Sequence, residues 1–373
     1  MSRLATTPSR LVAIRRALVG LIPTLVVLSA LAVLLELSLG WFVPELGQRR
    51  FDARFTGSRP VQLNSWGLRG VLPSADPDAP LLLALGDSTT WGTGVGVDER
   101  WPSQLIDRHL DLARAGSITA ARPATDLRQL RAGLDKIAAT RRVDAVVVAL
   151  CGNMVSLATI REGQPPRALI DADPSGPVPP PTLKDRAKYL VADSALVGGV
   201  LRAAETLGYA TGVNHHRIDP ESPFGALLAH GWRQAGLDPG VAEHAWALFE
   251  RDLRELRDAC AVRGIPLIAT WMPSRFTISE DPRDNLKFVP RHRLAIDPNE
   301  RAKEVCNRLA IPFADSLAAM RERRRREGWT PLYVPGDYTH LDPSGHAAVA
   351  EALAPLVSSA LGGDRSPASD AVD

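Results

Sequence analysis

One serine, one histidine and one aspartate in this chain have the types and the setting that nucleophilic catalysis requires. Five apolar residues, 81–85, are followed by Gly86-Asp87-Ser88. A run of that length bounded by turn formers reads as a fully buried parallel strand. A strand that stops at Gly and delivers an acid and a hydroxyl sets that hydroxyl at the carboxyl edge of the sheet, where open α/β folds place their ligands. Ser88 is the candidate nucleophile. A serine hydroxyl attacks only when a base removes its proton and a third group orients that base. Close to the C-terminus, Gly336-Asp337-Tyr338-Thr339-His340-Leu341-Asp342-Pro343-Ser344-Gly345-His346 precedes a helical pattern over 347–356, so Asp337 and His340 share one loop. Their spacing lets the carboxylate reach Nδ1 of the imidazole while Nε2 faces the serine. Asp87, beside the nucleophile, is expected to brace its loop, and His346 to belong to a helix start.

On these residues the sequence resembles the SGNH, or GDSL-type, hydrolases. Gly86-Asp87-Ser88 after the first strand is similar to that family's nucleophile block. Asp337-x-x-His340 followed by Leu-Asp-Pro-x-Gly-His is similar to its closing block. Either motif alone is short, but the two stand in the family's order at opposite ends of one stretch, residues 62–358, interrupted in the middle. The resemblance implies an α/β fold, a flavodoxin-like three-layer sandwich with a parallel central sheet.

The resemblance also implies two further blocks that donate to an oxyanion, one through a glycine N–H and one through an asparagine side chain. The glycine block looks like Ala115-Gly116-Ser117, with Arg114 where an Asn often opens it. The asparagine block follows an apolar run over 143–150 and reads Cys151-Gly152-Asn153-Met154, a form of Gly-x-Asn-Asp with both outer residues changed. The implied oxyanion hole is therefore Ser88 N–H, Gly116 N–H and the Asn153 amide. The implied reaction is acyl transfer through a covalent serine ester, with no cofactor. Water as acceptor makes an esterase or deacetylase, a sugar hydroxyl a polysaccharide O-acetyltransferase. A non-catalytic envelope binding protein on a degenerate SGNH fold is the expectation from another class, and the altered 151–154 block is what favours it.

Composition narrows the partners. The chain has 373 residues, 45% of them apolar, enough for one large α/β domain with an insertion. A net charge of +2, mostly arginine against acid, gives no reason to invoke nucleic acid. Three cysteines, Cys151, Cys260 and Cys306, are odd in number and widely spaced, which signals buried thiols rather than a disulfide framework or a metal site. No third ligand with suitable spacing accompanies Asp337 and His340 for zinc. The adjacent His215 and His216 diverge on any regular element. No metal is expected.

The N-terminus sets the compartment. Residues 1–16 carry Arg3, Arg10, Arg15 and Arg16 without an acid, and 17–35 are uncharged and apolar. Nineteen residues of helix span roughly 29 Å, close to the hydrocarbon thickness of a bilayer. Trp41 and Phe42 lie where interfacial aromatics sit. A cleaved signal peptide has a shorter apolar region, and Ala30-Leu31-Ala32 falls inside this one. The reading is a cytoplasmic tail (1–16), a single-pass inner-membrane anchor (17–43), a linker and entry segment (44–79), a periplasmic hydrolase-like domain (80–360) with an insertion at about 161–245, and a disordered tail (361–373). That placement makes an acylated cell-envelope carbohydrate or a lipid ester the expected substrate, with envelope polysaccharide machinery a possible partner.

The remaining patterns position these groups. Helices are expected over 101–110, 125–140 (capped by Thr125), 183–207, 242–263, 299–309 and 317–327, and strands over 143–150, 266–270 and 311–313. Gly163 to Pro181 is too rich in proline for a regular element. Asn64-Ser65-Trp66-Gly67-Leu68-Arg69-Gly70, upstream of the nucleophile strand, reads either as an edge-packing turn or as part of the site. The run Arg323 to Arg326 reads as a solvated helix end, with anionic lipid or acidic polysaccharide as the lesser expectation.

Overall fold

Runs of Leu, Val and Ala without polar interruption form the sheet, because a strand covered on both faces has no solvent side to keep polar. The computed structural model describes residues 23–24, 26–35, 38, 55–56, 59–60, 63–70, 72–73, 79–110, 115–166, 168–170, 238–278, 296–327, 332–334 and 339–362. A parallel sheet contains β1 (Leu81–Gly86), β2 (Gly116–Ala121), β3 (Ala145–Leu150), β4 (Leu267–Trp271) and β5 (Phe313–Ala314), in the order β2-β1-β3-β4-β5. Every residue of β1, β3 and β4 is buried. β1 pairs with β2 from Leu81↔Gly116 to Gly86↔Ala121, and with β3 from Leu82↔Ala145 to Leu85↔Val148. A short antiparallel pair, Phe55–Thr56 with Arg59–Pro60, precedes the sheet.

The order 2-1-3-4-5 is the flavodoxin-like one, and its direction of travel reverses at β1. Right-handed crossovers then send helices to opposite faces on either side of that reversal. α1 (Ser88–Trp91) and α2 (Trp101–His109) follow β1, α3 (Leu127–Ala138) follows β2, and α4 (Gly152–Ile160) and α5 (Pro239–Ala261) follow β3. α6 (Arg275–Ile278) and α7 (Pro298–Arg308) follow β4, and α8 (Ser316–Glu327) and α9 (Pro343–Gly362) follow β5. α9 packs on α2 and α8, while α5 packs on α3 and α4. The result is an α/β three-layer arrangement with β1 at its switch point.

Helix ends are fixed by local chemistry. Asp126 and Gln129 form a reciprocal capping box at α3. The cap expected at Thr125 is therefore one residue later, and the Thr125 hydroxyl donates to the Arg122 carbonyl instead. Asp238 caps α5 and Asp297 caps α7, each followed by proline at the first helical position. α5 buries Trp246, which meets Phe249 edge-on at 5.1 Å and Trp271 at 5.9 Å, tying the helix to the carboxyl end of β4.

Two expectations need correction. The sequence reading passed from helix to helix between β1 and β3, whereas β2 lies there, its Gly-Ser-Ile-Thr-Ala-Ala too poor in β-formers to stand out. α5 starts at Pro239, inside the stretch assigned to the insertion. The arginine run ends α8 in acid pairs: Arg323 with Glu327 and Glu351, Arg325 with Glu322, Arg326 with Glu327. The run is thus a solvated helix end, as expected, with Arg325 75% and Arg326 55% exposed and three of its guanidiniums paired to acids on the surface. The 183–207 helix, His215, His216 and the proline-rich loop beyond residue 170 lie outside the described residues. So do Asp337, all of 1–22, most of 36–62 and all of 363–373.

All three cysteines are free and buried. Burial pushes the Cys260 and Cys306 thiols up to about 12. Residues 26–35 are helical and exposed, with Val26 and Leu34 each 61% accessible. Among the described residues no helix is long and apolar enough to cross a membrane.

Candidate active site

Ser88 opens α1, separated from Gly86 at the end of β1 by the N-cap Asp87 and on the carboxyl edge of the sheet. Gly86 is required where it stands, since a Cβ there would lie 2.0 Å from the Thr90 hydroxyl. The chain turns at Asp87, whose carboxylate is fully buried and engaged on both oxygens. Oδ1 accepts from the Thr89 N–H at 2.9 Å and the Thr89 hydroxyl at 2.8 Å. Oδ2 accepts from Cys151 Sγ at 3.1 Å and Asn153 Nδ2 at 3.2 Å. Asp87 thus braces the loop from both sides, tying β1's end to β3's.

The Ser88 hydroxyl has two acceptors in range. His340 Nε2 is 2.9 Å from Oγ, and Asp87 Oδ2 is 3.5 Å away. At those distances the imidazole takes the hydrogen bond. The contact joins residues 252 positions apart in the chain. Ser88 itself is 8% exposed.

Backbone pairing fixes the height of His340. Tyr333 and Leu341 form an antiparallel bridge, the Val334 N–H donates to the His340 carbonyl at 2.9 Å, and the Asp342 N–H to the Leu332 carbonyl at 3.1 Å. The Tyr333 hydroxyl donates to the Pro273 carbonyl at 2.8 Å, securing this loop to the segment after β4. Asp342 then starts α9, accepting the N–H groups of Ser344 and Gly345 at 2.9 and 3.0 Å. Asp337, expected to orient the imidazole, lies outside the described residues.

His346 is on α9's first turn and fully buried. Its Nδ1 accepts the Trp101 N–H at 3.3 Å, so α9 docks on the start of α2. Burial, reinforced by Arg100, Arg69 and His340, pushes its pKa down to about 3. His346 is neutral at working pH.

Asn153 is on the first turn of α4, with its amide directed at Asp87 beside the nucleophile. One of its two amide hydrogens is used by that carboxylate. The other does not go to that carboxylate. Cys151 is N-cap to α4 with φ −154, an extended angle open to any residue. Burial first, then the Asp87 carboxylate, pushes its thiol well above the ordinary value, so it is a hydrogen-bond donor rather than a nucleophile.

Gly116 is not brought to this site. It is the first residue of β2, paired with Leu81 at the amino end of β1, and its N–H is taken by the Pro80 carbonyl at 2.9 Å. Five residue steps of about 3.3 Å separate it from the carboxyl edge. Its glycine is explained by packing, because a Cβ there would sit 2.6 Å from Pro73 Cβ. The β2 segment that does reach the edge is 121–125, where Ala124 has φ 58 and Arg122 Nη2 donates to the Gly67 carbonyl at 3.3 Å. Sequence reading missed this segment with the strand that leads into it.

Among the described residues no group of three or more His, Cys, Asp or Glu is placed to hold a metal ion. No protein-family model matches the chain, and no curated protein matches it. Solved structures with similar chain paths include a member of the lipolytic G-D-S-L family from Veillonella parvula, at 10% identity and TM-score 0.39, covering 74% of this chain and 98% of that one. A lipase/acylhydrolase from Enterococcus faecalis is similar at 13% identity and TM-score 0.38, over 76% and 97%. The acetyl xylan esterase AlAXEase is similar at 12% identity and TM-score 0.40, over 74% and 99%.

Proposed function

We propose that this chain is a serine-dependent acyl-ester hydrolase of the GDSL type. The observation that carries the reading is the 2.9 Å contact between Ser88 Oγ and His340 Nε2 on the carboxyl edge of the sheet. In that geometry Nε2 takes the hydroxyl proton as Oγ attacks the ester carbonyl. The tetrahedral oxyanion is received by the Ser88 N–H, at the start of α1, and by the other hydrogen of the Asn153 amide. The imidazolium then protonates the leaving alkoxide, leaving an acyl-serine. Water, deprotonated by the same imidazole, releases the acid and restores Ser88. Asp337 is assigned the orienting carboxylate, and Asp87 the brace that fixes Ser88 relative to Asn153. The apolar N-terminal segment and the arginines before it support an anchored domain outside the inner membrane, acting on an acylated envelope carbohydrate or lipid ester.

Acetate release from p-nitrophenyl acetate and from acetylated glycans, measured for wild type and Ser88→Ala, tests this. Wild type is expected to turn over and to be labelled by a fluorophosphonate, and Ser88→Ala to do neither. Equal rates for the two proteins overturn the reading.

A further inference from the structure

The turn over residues 64–70 is built with more care than an edge needs. The Asn64 side-chain oxygen accepts the N–H groups of Trp66 and Leu68 at 2.9 and 3.1 Å, and the Asn64 N–H donates to the Leu68 carbonyl at 2.8 Å. Gly67 turns the corner at φ 69. What the turn delivers is Arg69, 3% exposed. Its Nη1 donates to the Trp91 carbonyl at 2.8 Å and to that of Gly92, and its Nη2 to that of Val95.

Those carbonyls belong to the nucleophile's own turn. α1 is a single turn from Ser88 to Trp91, and the N–H groups of Gly92 and Thr93 both return to the Ser88 carbonyl at 3.1 Å. The guanidinium therefore holds the far end of the turn whose near end carries Ser88. Gly92, at φ 78, is shaped for this approach, since a Cβ there would meet Arg69 Nη1 at 3.1 Å and Arg100 Cγ at 2.4 Å.

A second buried guanidinium extends the bracket towards the base. Arg100 Nη2 donates to the Arg69 carbonyl at 3.5 Å and its Nε to the Val97 carbonyl at 3.2 Å. The next residue, Trp101, gives its N–H to His346, and Gln104 Nε2 donates to the Pro343 carbonyl at 3.0 Å. Both contacts land on the first turn of α9, directly after the His340 loop. Two like charges buried side by side are a poor way to gain stability, and burial lowers both, to about 10 for Arg69 and about 9 for Arg100. A planar fork that fixes three carbonyls at once is what a guanidinium supplies and an apolar side chain or an ammonium does not.

We propose that Arg69 is a positioning residue, setting the Ser88 turn against the His340 imidazole through the carbonyls of Trp91, Gly92 and Val95. The inference rests on the acyl-transfer reading above. It extends that reading to a segment outside the nucleophile and base loops.

The test uses the full-length chain as wild type, Arg69→Ala and Arg69→Lys, with p-nitrophenyl acetate, circular dichroism and added guanidinium. A small displacement of a reacting atom costs about 100-fold, so both variants are expected to lose about that much kcat per folded molecule while KM stays within about threefold. Guanidinium at concentrations too low to unfold the chain is expected to restore about tenfold of the Arg69→Ala loss and to leave wild type unchanged. Should Arg69→Ala fail to fold, Arg69→Lys carries the test, since it keeps charge and length and lacks only the fork. A folded Arg69→Lys with kcat within about threefold of wild type overturns the inference. A wild type that neither turns over the ester nor takes the fluorophosphonate probe overturns the acyl-transfer reading itself, which separates the two failures.

Discussion

The two members of the Ser88–His340 pair are held by different kinds of contact. Around Ser88 the work is done by side chains: the Asp87 carboxylate with four donors drawn from Thr89, Cys151 and Asn153, and the Arg69 fork on three carbonyls. Around His340 it is done by backbone: the bridge at Tyr333↔Leu341, two N–H donations across it, and the docking of α9's first turn on α2. A strand end is fixed in height by its ladder but leaves the direction of the following hydroxyl open, so the nucleophile needs charged and polar neighbours to aim it. A loop between a bridge and a helix start is aimed by its own backbone. Substitutions near Ser88 should therefore act on turnover, and those near His340's support on stability.

The base itself gives the largest effect. His340→Ala removes the proton acceptor, and kcat for ester hydrolysis is expected to fall by about 10⁴-fold or more with the fold intact. A folded variant within tenfold of wild type would remove His340 from the mechanism. Asn153→Ala comes next, because it deletes a single donor beside the nucleophile. About 10²- to 10³-fold in kcat is expected, with little change in KM. A loss confined to thermal stability would make Asn153 a brace for Asp87 and nothing more.

How much of this was legible in the sequence follows from the same contrast. Ser88 and His340 were readable because each ends or precedes a strongly patterned element, an all-leucine-and-alanine strand in one case and a long apolar helix in the other. The order of β1, β3 and β4, and helices α3, α5 and α7 to within a few residues, came from the same patterning. β2 was not readable. Its six residues are Gly, Ser, Ile, Thr and two Ala, and only the ladder with β1 makes them a strand. That one omission misplaced the glycine donor, since Gly116 matches the glycine block by resemblance alone and is the first residue of a strand, at the end away from Ser88. Asp87 was legible as a brace of its own loop, but its reach to Cys151 and Asn153 and the contacts of Arg69 were not, because these join segments with no shared local pattern.

On the base's side the sharpest test is acid. A histidine whose folded pKa lies below its unfolded value makes stability fall with pH, since below 6.5 the unfolded chain binds a proton that buried His346 refuses until about 3. The native state is thus fully favoured above 6.5 and loses about 1.4 kcal/mol per pH unit below it from this group. Urea unfolding at pH 6.5 and at pH 5 should show wild type losing about 2 kcal/mol more than His346→Asn, which keeps an acceptor for the Trp101 N–H but does not titrate. Matching losses in the two proteins would mean that α9 docks on α2 without the neutral imidazole.

Gly116→Ala makes the smallest expected change in turnover, and it decides between the sequence reading and the register. If Gly116 donated to an oxyanion, adding a methyl at that backbone would disturb the site and kcat would drop. In the β2 ladder the same methyl meets Pro73 Cβ at 2.6 Å, at the end of the sheet away from Ser88. Forcing a methyl into a packed contact costs about 1–3 kcal/mol of stability, while kcat per folded molecule stays at the wild-type value. A folded Gly116→Ala with kcat reduced a hundredfold would bring the glycine back to the nucleophile and shift β2 along β1. Thermal unfolding and turnover measured on one preparation separate these outcomes, because the register allows a loss in the first only.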